Sequence, residues 1–194
     1  MTNTDDNPVI LVDEDDVAVG TAGKLDAHRR GLKHRAISAL IHNSAGEFLL
    51  QRRNPAKYHS GGLWTNACCS HPQPGESAAD AARRRLQEEM GVSCPLRPLF
   101  RFSYRAEVPG GLIEDEIVHV FGGTHDGSVA PDPAEVGEWK WMALRDLAAD
   151  LQARPDAYTV WFRQYIAEHG GLIADWIARG SSVTSRFSFR RLPN

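Results

Sequence analysis

The chain has 194 residues, of which 42% are hydrophobic and 24% charged, with a formal net charge of −3. These values are typical of one globular domain with short terminal additions. The acidic balance argues against a dominant nucleic-acid surface, and no apolar run is long enough to span a membrane. The acidic N-terminus lacks a secretory signal pattern, and three cysteines are too few for a disulfide framework. We therefore expect a cytoplasmic protein without nucleic-acid or membrane partners.

The sequence pattern predicts strands followed by helices. In chain order these are a strand at 9–12, a short apolar segment at 17–19, a β-hairpin over 35–53, a helix at 77–91, strands at 111–123 and 138–144, and a helical region at 145–169 interrupted near Pro155. This order favours an α+β domain. We assign a flexible N-terminus to 1–7, the domain to 8–169, and a C-terminal extension to 170–194, part of which we expect to be disordered.

The segment 77–91 has the clearest helical pattern. Ser77 followed by Asp80 resembles a capping box, and Gly91 suits the C-terminal cap. Arg85 and Glu89 are four residues apart on one face, so a solvated salt bridge is one interpretation of this pair.

The segment "GLIEDEIVHVFGG" places two glutamates on one face of a predicted strand. Glu114 and Glu116 alternate with Asp115, so their Cα atoms lie roughly 7 Å apart on the same side. An exposed acidic edge is one explanation. Because Val118 and Val120 continue this face as apolar residues, a buried carboxylate pair in a metal site is the sharper hypothesis.

Histidines and cations supply further candidate ligands. His28 and His34 precede the first hairpin, and His71 follows Cys69 by two residues. A lone histidine is more often a surface or core residue than a ligand, but three of them with two glutamates would suit Mn²⁺, Fe²⁺ or Zn²⁺. The candidate phosphate-binding cations, which could equally be solvated loop residues, are Lys24, Arg53, Lys57 and Arg85.

From Gly75 to Val92 the chain resembles the Nudix box, a loop–helix–loop that gathers carboxylates around Mg²⁺ and a diphosphate. Two positions depart from the pattern. Ser70 stands where the box begins with glycine, and Arg85 stands where the hydrolases have a metal-binding glutamate. A guanidinium at a central carboxylate position inverts the local charge, so we expect a diphosphate-binding relative that no longer hydrolyses its ligand.

The combination of motifs resembles type I isopentenyl-diphosphate Δ-isomerase, an enzyme family with the Nudix fold. The segments that carry the resemblance are "RRNPAKY", "GLWTNACCSHPQPGES", "RRRLQEEMG", "FSYRA" and "GLIEDEIVHVFGG", in matching order across roughly residues 8–165. The resemblance implies an α/β/α layered fold with a mixed sheet. It also implies interconversion of isopentenyl and dimethylallyl diphosphate, with one proton added at the terminal alkene carbon and another removed from C2.

The resemblance assigns roles at matched positions. The implied catalytic residues are Cys69, Glu116 and Tyr104. The implied ligands of a divalent metal, Mn²⁺ or Zn²⁺, are His28, His34, His71, Glu114 and Glu116, and Glu89 is the implied carboxylate for Mg²⁺ bound with the diphosphate. The implied substrate contacts are Lys24, Arg53, Lys57, Arg85 and Trp161, of which Trp161 offers an aromatic face to a carbocation and Trp64 is a weaker candidate.

The same resemblance implies different roles for the two neighbouring cysteines. In the C-x-H-P pattern, counting back two positions from His71 selects Cys69 and leaves Cys68 as a small packed neighbour. We expect the Cys69 thiol to have a lowered pKa because a metal site and basic groups lie near it. The gap between His28 and His34 is one residue shorter than in some relatives.

Two other functions remain open at this point. A Nudix pyrophosphohydrolase of a nucleoside diphosphate derivative would need the box glutamate that Arg85 replaces, and would leave Cys69 without a role. A non-enzymatic Nudix-like binding module would leave the whole Cys/Glu/His set unexplained. The sequence is compatible with a monomer or a homodimer.

Overall fold

A computed structural model describes residues 7–180. The strands are β1 (Pro8–Val12), β2 (Ala18–Gly23), β3 (His34–His42), β4 (Glu47–Arg53), β5 (Trp64–Asn66), β6 (Cys68–Ser70), β7 (Arg97–Val108), β8 (Leu112–Thr124) and β9 (Val136–Ala143). The helices are α1 (Lys24–Arg30), α2 (Ala78–Met90), α3 (Leu144–Ala153) and α4 (Val160–Gly180), with a 3₁₀ turn at Pro155–Ala157. Among the residues described, no helix has the length and apolarity needed to cross a membrane.

The strands form one mixed sheet with β3 near its centre. β3 pairs in parallel with β8 and antiparallel with β6, while β7 pairs antiparallel with β8. β4 pairs antiparallel with β5 and β9. The predicted hairpin at 35–53 has the correct strands and turn, but its strands pair only at His42 and Phe48 and then separate to bind other partners.

Two hydrophobic cores lie on opposite faces of the sheet. One contains Ala81, Leu86 and Met90 of α2. The other contains Leu147 and Leu151 of α3 together with aromatic residues of α4. The fold is therefore α+β, with a sheet between two helical layers, as the sequence pattern and the resemblance indicated.

Helix α2 forms where the sequence predicts it. Ser77 Oγ accepts a hydrogen bond from the Asp80 backbone N–H at 3.1 Å, and Gly91 ends the helix with φ +64°. Such capping satisfies backbone groups that have no partner within a helix.

The C-terminal region differs from the prediction. The helix predicted to end at 169 continues to Gly180, because Ile173 and Ile177 extend its apolar stripe into the core. The boundary that we placed between 169 and 170 therefore lies inside α4. The segment 181–194, for which we predicted disorder, lies outside the described residues, as do residues 1–6.

Candidate active site

A row of three side chains crosses the sheet at the start of β3. His34 of β3 pairs with Glu116 of β8, which pairs in turn with Tyr104 of β7. Residues paired directly across neighbouring strands project from the same face of a sheet. The Tyr104 hydroxyl accordingly donates to Glu116 Oε2 at 2.8 Å, and all three side chains are buried.

Strand alternation places both predicted glutamates in the interior. Glu114 and Glu116 are 3% and 7% exposed, whereas Asp115 faces the other way, towards Lys33 and Arg105. The interpretation of this strand as an exposed acidic edge is therefore wrong.

Two histidines present the same ring nitrogen to the site. His28 Nδ1 lies 2.6 Å from the Lys24 carbonyl oxygen, one turn earlier in α1, and His34 Nδ1 lies 2.7 Å from the Leu32 carbonyl oxygen. A carbonyl oxygen only accepts, so Nδ1 carries the proton and Nε2 keeps its lone pair. The shorter gap between these histidines does not displace His28, whose Nε2 lies 3.2 Å from Glu114 Oε2.

The donor atoms of His34, His71 and Glu116 converge. His71 Nε2 lies 2.9 Å from Glu116 Oε1 and 3.2 Å from His34 Nε2, and His34 Nε2 lies 3.4 Å from Glu116 Oε1. Neighbouring ligands of one divalent ion, each about 2.1 Å from it, are about 3 to 3.4 Å apart. This donor set therefore fits a bound divalent metal, which would replace lone-pair repulsion with coordination.

The predicted ligands fall into two overlapping groups. The donor atoms of His28, His34, His71 and Glu116 lie within 4.8 Å of one another, and a second such group consists of His28, Glu114 and His59. The sequence analysis missed His59, whose Nε2 lies 2.8 Å from Glu114 Oε1. No spacing rule distinguished it from an ordinary loop histidine in "AKYHSGG".

Burial and hydrogen bonding set the charge of these groups. Burial would raise the pKa of Glu114, but the contacts with His28 and His59 hold it well below its usual range. Burial and the Glu114 charge likewise oppose ionisation of Glu116, yet contacts with His34 and His71 lower the pKa of that carboxyl. Burial lowers the pKa of His71 to about 4 and raises the pKa of Tyr104. The glutamates are thus carboxylates and the phenol is protonated near neutrality.

The two cysteines lie on opposite faces of the sheet. Cys69 pairs with Ser38 across β6 and β3, and its Sγ lies 3.4 Å from Ser38 Oγ and 3.2 Å from Asn66 Oδ1. Cys69 lines the same cavity as Glu116. Cys68 is fully buried in the core against α2, as predicted.

The protein groups around Cys69 act against the predicted lowering of its pKa. Burial raises the pKa of Cys69 to about 12, and the hydrogen bonds with Ser38 and Asn66 offset this only in part. The nearby carboxylates Glu116 and Glu89 act in the same direction as burial. Cys69 is therefore a protonated thiol at neutral pH.

A second cavity adjoins the first, and the two share Lys24, Arg53, Cys69, Ser70 and His71. It is lined by all four predicted cations, namely Lys24, Arg53, Lys57 and Arg85, together with Glu89. Arg85 Nη2 lies 2.7 Å from Glu89 Oε1. The predicted ion pair therefore forms, but it is largely buried, so the interpretation as a solvated pair is wrong. Both residues line the second cavity, as the diphosphate interpretation expects.

The sequence analysis missed one acidic residue in the second cavity. Glu135 lies just before β9, where it forms an ion pair with Lys57 and lies 3.3 Å from Arg85 Nη2. The Nε atoms of Arg53 and Arg85 are buried and have no hydrogen-bond partner among residues 7–180. Unpaired buried donors on two cations suit an anionic ligand.

Aromatic residues cover the first cavity. Trp161 and Tyr165 of α4 line it together with Tyr104, and Trp161 Nε1 donates to Thr65 Oγ1 at 3.0 Å, which fixes the ring. Trp64 is not among the residues that line either described cavity, and Lys140 Nζ lies 4.0 Å from its ring centroid. The site therefore joins a cavity lined by aromatic rings, a thiol and two carboxylates to one lined by four cations.

Comparisons with known proteins agree with this arrangement. The NUDIX domain model matches residues 32–162. "Isopentenyl-diphosphate Delta-isomerase 2" of Aromatoleum aromaticum is 54% identical over 80% of this chain and 82% of its own length. "Isopentenyl-diphosphate Delta-isomerase" of Burkholderia multivorans is 51% identical over 84% of this chain and 92% of its own.

Solved structures show the same fold. A crystal structure of a protein from Deinococcus radiodurans has a TM-score of 0.64 and 25% identity, covering 76% of this chain and 90% of that one. A MutT protein from Methanosarcina mazei has a TM-score of 0.59 and 21% identity, covering 76% and 94%. On the extent of the sequence matches, the chain belongs to the isopentenyl-diphosphate Delta-isomerase family of NUDIX-domain proteins.

Proposed function

We propose that this protein interconverts isopentenyl diphosphate and dimethylallyl diphosphate. The observation that carries the proposal is the junction of the two cavities at Cys69 and His71. A substrate whose diphosphate occupies the cationic cavity would extend its five-carbon chain past Cys69 towards Glu116 and Trp161. The names of the close relatives support the same reaction.

We assign the proton transfers to Cys69 and Glu116. In each direction one group supplies the proton that is added to the alkene and the other accepts the proton that leaves the neighbouring allylic carbon, so no net proton is gained or lost. In the reverse reaction the roles exchange. The Tyr104 hydroxyl, which donates to Glu116 Oε2, holds that carboxylate in place while its proton load changes.

The aromatic cover protects the intermediate. Protonation of the alkene creates a tertiary carbocation, which water would trap. Trp161, only 3% exposed, offers a ring face that stabilises a cation without reacting with it. Tyr104 and Tyr165 contribute to the same enclosure.

Two divalent cations complete the proposal. We assign Mn²⁺ or Zn²⁺ to His28, His34, His71, Glu114 and Glu116, and Mg²⁺, bound together with the diphosphate, to Glu89. When bound, these ions supply positive charge beside Glu116 and beside the diphosphate oxygens. Lys24, Arg53, Lys57 and Arg85 supply the remaining positive charge for the diphosphate.

Incubation of the purified protein with isopentenyl diphosphate and divalent metal in D₂O tests this function. We expect deuterium in the dimethylallyl diphosphate that forms, measured by mass spectrometry and NMR. Phosphate release from nucleoside diphosphate derivatives without isomerisation would instead identify a hydrolase. Arg85, which places a guanidinium against Glu89 and Glu135, argues against that alternative.

A further inference from the structure

We propose that His59 is a positioning residue, which holds Glu114 so that one carboxylate oxygen faces the metal ligands. This inference rests on the ligand set proposed above and adds to it a residue outside that set. His59 lies in the loop between β4 and β5 and is 5% exposed. Its Nε2 is 2.8 Å from Glu114 Oε1.

The two oxygens of Glu114 face two different imidazoles. Oε1 faces His59, while Oε2 lies 3.2 Å from Nε2 of His28. The His28 nitrogen has no proton to offer, because its Nδ1 is bonded to the Lys24 carbonyl. We therefore assign the hydrogen bond at the other oxygen, Oε1, to His59 as donor. Oε2 then remains available to the ion.

A neighbouring hydroxyl in the loop can stabilise the tautomer that this role requires. His59 Nδ1 lies 3.1 Å from Ser60 Oγ. When the Ser60 hydroxyl donates to Nδ1, the single proton of the neutral imidazole is on Nε2 and points at Glu114. Ser60 itself has a φ of +50°, a conformation that persists in a non-glycine residue only where surrounding structure holds it.

Packing fixes the ring of His59 from two sides. The Tyr58 ring meets it edge-on at a centroid distance of 4.4 Å, and Trp161 does so at 6.0 Å. A ring held in this way can fix the orientation of a carboxylate because its own rotation is restricted.

Distances place His59 outside the four-residue group of donor atoms. His28, His34, His71 and Glu116 have donor atoms within 4.8 Å of one another, and within the described chain His59 joins only His28 and Glu114 at that spacing. His59 and Glu114 thus both lie outside the four-residue group, and His59 contacts the proposed ligand set through Glu114 Oε1 at 2.8 Å. Hydrogen-bond partners of metal ligands typically change metal affinity by about 10- to 100-fold when they are removed.

Two substitutions of similar polarity test the proposal. The amide nitrogen of His59→Gln reaches roughly the position of imidazole Nε2 and keeps a donor towards Glu114, whereas the shorter side chain of His59→Asn does not reach it. We expect Zn²⁺ affinity, measured on metal-free protein by competition with a chromophoric chelator, to fall about 10- to 100-fold for His59→Asn. The His59→Gln variant should stay within about fivefold of the unmodified protein, with an unchanged visible spectrum of bound Co²⁺.

The controls separate this role from general stability. His42→Gln removes another buried histidine, far from the metal ligands along β3, and should leave Zn²⁺ affinity unchanged. Circular dichroism and thermal unfolding check that each variant is folded. Unchanged affinity in His59→Asn would overturn the proposal, as would equal losses in both variants. Equal losses of Zn²⁺ affinity in both His59 variants, together with an altered Co²⁺ spectrum, would instead identify His59 as a metal ligand. Because no substrate is present in these measurements, their outcomes are independent of isomerase activity. Failure of the unmodified protein to bind metal would count against the proposed ligand set itself.

Discussion

The two ends of strand β3 each carry a fully buried histidine, and the two residues differ in what their Nε2 atoms face. His34 and His42 both have Nδ1 bonded to a backbone carbonyl, at 2.7 and 2.8 Å. His34 Nε2 faces His71 and Glu116, whereas His42 Nε2 lies 3.2 Å from the Thr124 hydroxyl. Burial alone therefore does not make a ligand. The partner of the second nitrogen distinguishes His34, a proposed ligand, from His42.

The electrostatics of the two histidines differ in the same way. Burial would lower the pKa of His34, but contact with Glu116 raises it above its ordinary value. At His42 burial prevails and lowers the pKa. The same contrast recurs elsewhere in the molecule. Two further pairs have one member in the candidate site and one outside it. Cys69 and Tyr104 line the first cavity, whereas their counterparts Cys68 and Tyr158 do not. The second member of each pair therefore serves as a control for the first.

The cysteine pair should give the largest contrast. Cys69→Ala removes a proton-transfer group, and we expect the isomerisation rate to fall at least about 10³-fold. Cys68→Ala removes only a buried sulfur on the opposite face of the sheet, so kcat should stay within about threefold and the free energy of unfolding should fall by about 1 to 2 kcal/mol. Steady-state kinetics and urea unfolding measure both effects. Equal losses of activity would contradict the separation of the two faces.

The histidine pair should give the next largest contrast. His34→Gln removes a donor from the four-residue group, so metal affinity should fall by at least about 100-fold, more than for loss of an outer hydrogen-bond partner. His42→Gln should bind metal normally. Zn²⁺ or Mn²⁺ content after dialysis, measured by elemental analysis, checks the prediction. Full metal occupancy in the His34→Gln protein would remove His34 from the proposed ligands.

Local patterns predicted the parts of the site that depend on one element. Alternation along β8 predicted that Glu114 and Glu116 share a face, and the Ser77 and Gly91 signals predicted both ends of α2. Pairing between strands was not predictable in this way. The parallel register of His34 with Glu116 joins residues 82 positions apart in the sequence, and β5, β6 and β7 were not predicted as strands.

Residues that act through tertiary contacts were also missed. His59 and Glu135 lie in or beside loops, and only the folded chain brings them to Glu114 and Lys57. The effect of the surrounding protein on the Cys69 pKa was not predicted, because the sequence shows nearby charges but not burial, which is the largest cause of the upward shift. Motif and spacing thus indicated which residues to propose for the site. The pKa shifts of those residues depend on burial, which only the folded structure shows.

The tyrosine pair should give a smaller contrast in activity. Tyr104→Phe removes the hydrogen bond to Glu116 Oε2, and we expect kcat to fall about 10- to 100-fold with little change in KM, since hydrogen bonds to charged groups contribute about 1.5 to 3 kcal/mol. Tyr158→Phe removes a phenol hydrogen bond to Asp150 of 2.6 Å, outside both cavities. Its kcat should be unchanged. A Tyr104→Phe enzyme with normal kcat would separate Tyr104 from the reaction.

The smallest effect concerns His42 and the pH dependence of stability. Because burial lowers its pKa in the folded protein, the unfolded chain binds more protons as pH falls through about 6.5, the ordinary histidine value. The contribution of His42 therefore lowers the free energy of unfolding on acidification and has no effect above that range. Urea unfolding of the unmodified and His42→Gln proteins, both metal-free in excess chelator, should give curves against pH that are parallel above 7 and converge below 6.5. Curves that remain parallel to pH 5 would show that His42 titrates normally, and that the contrast between the two ends of β3 lies in hydrogen bonding alone.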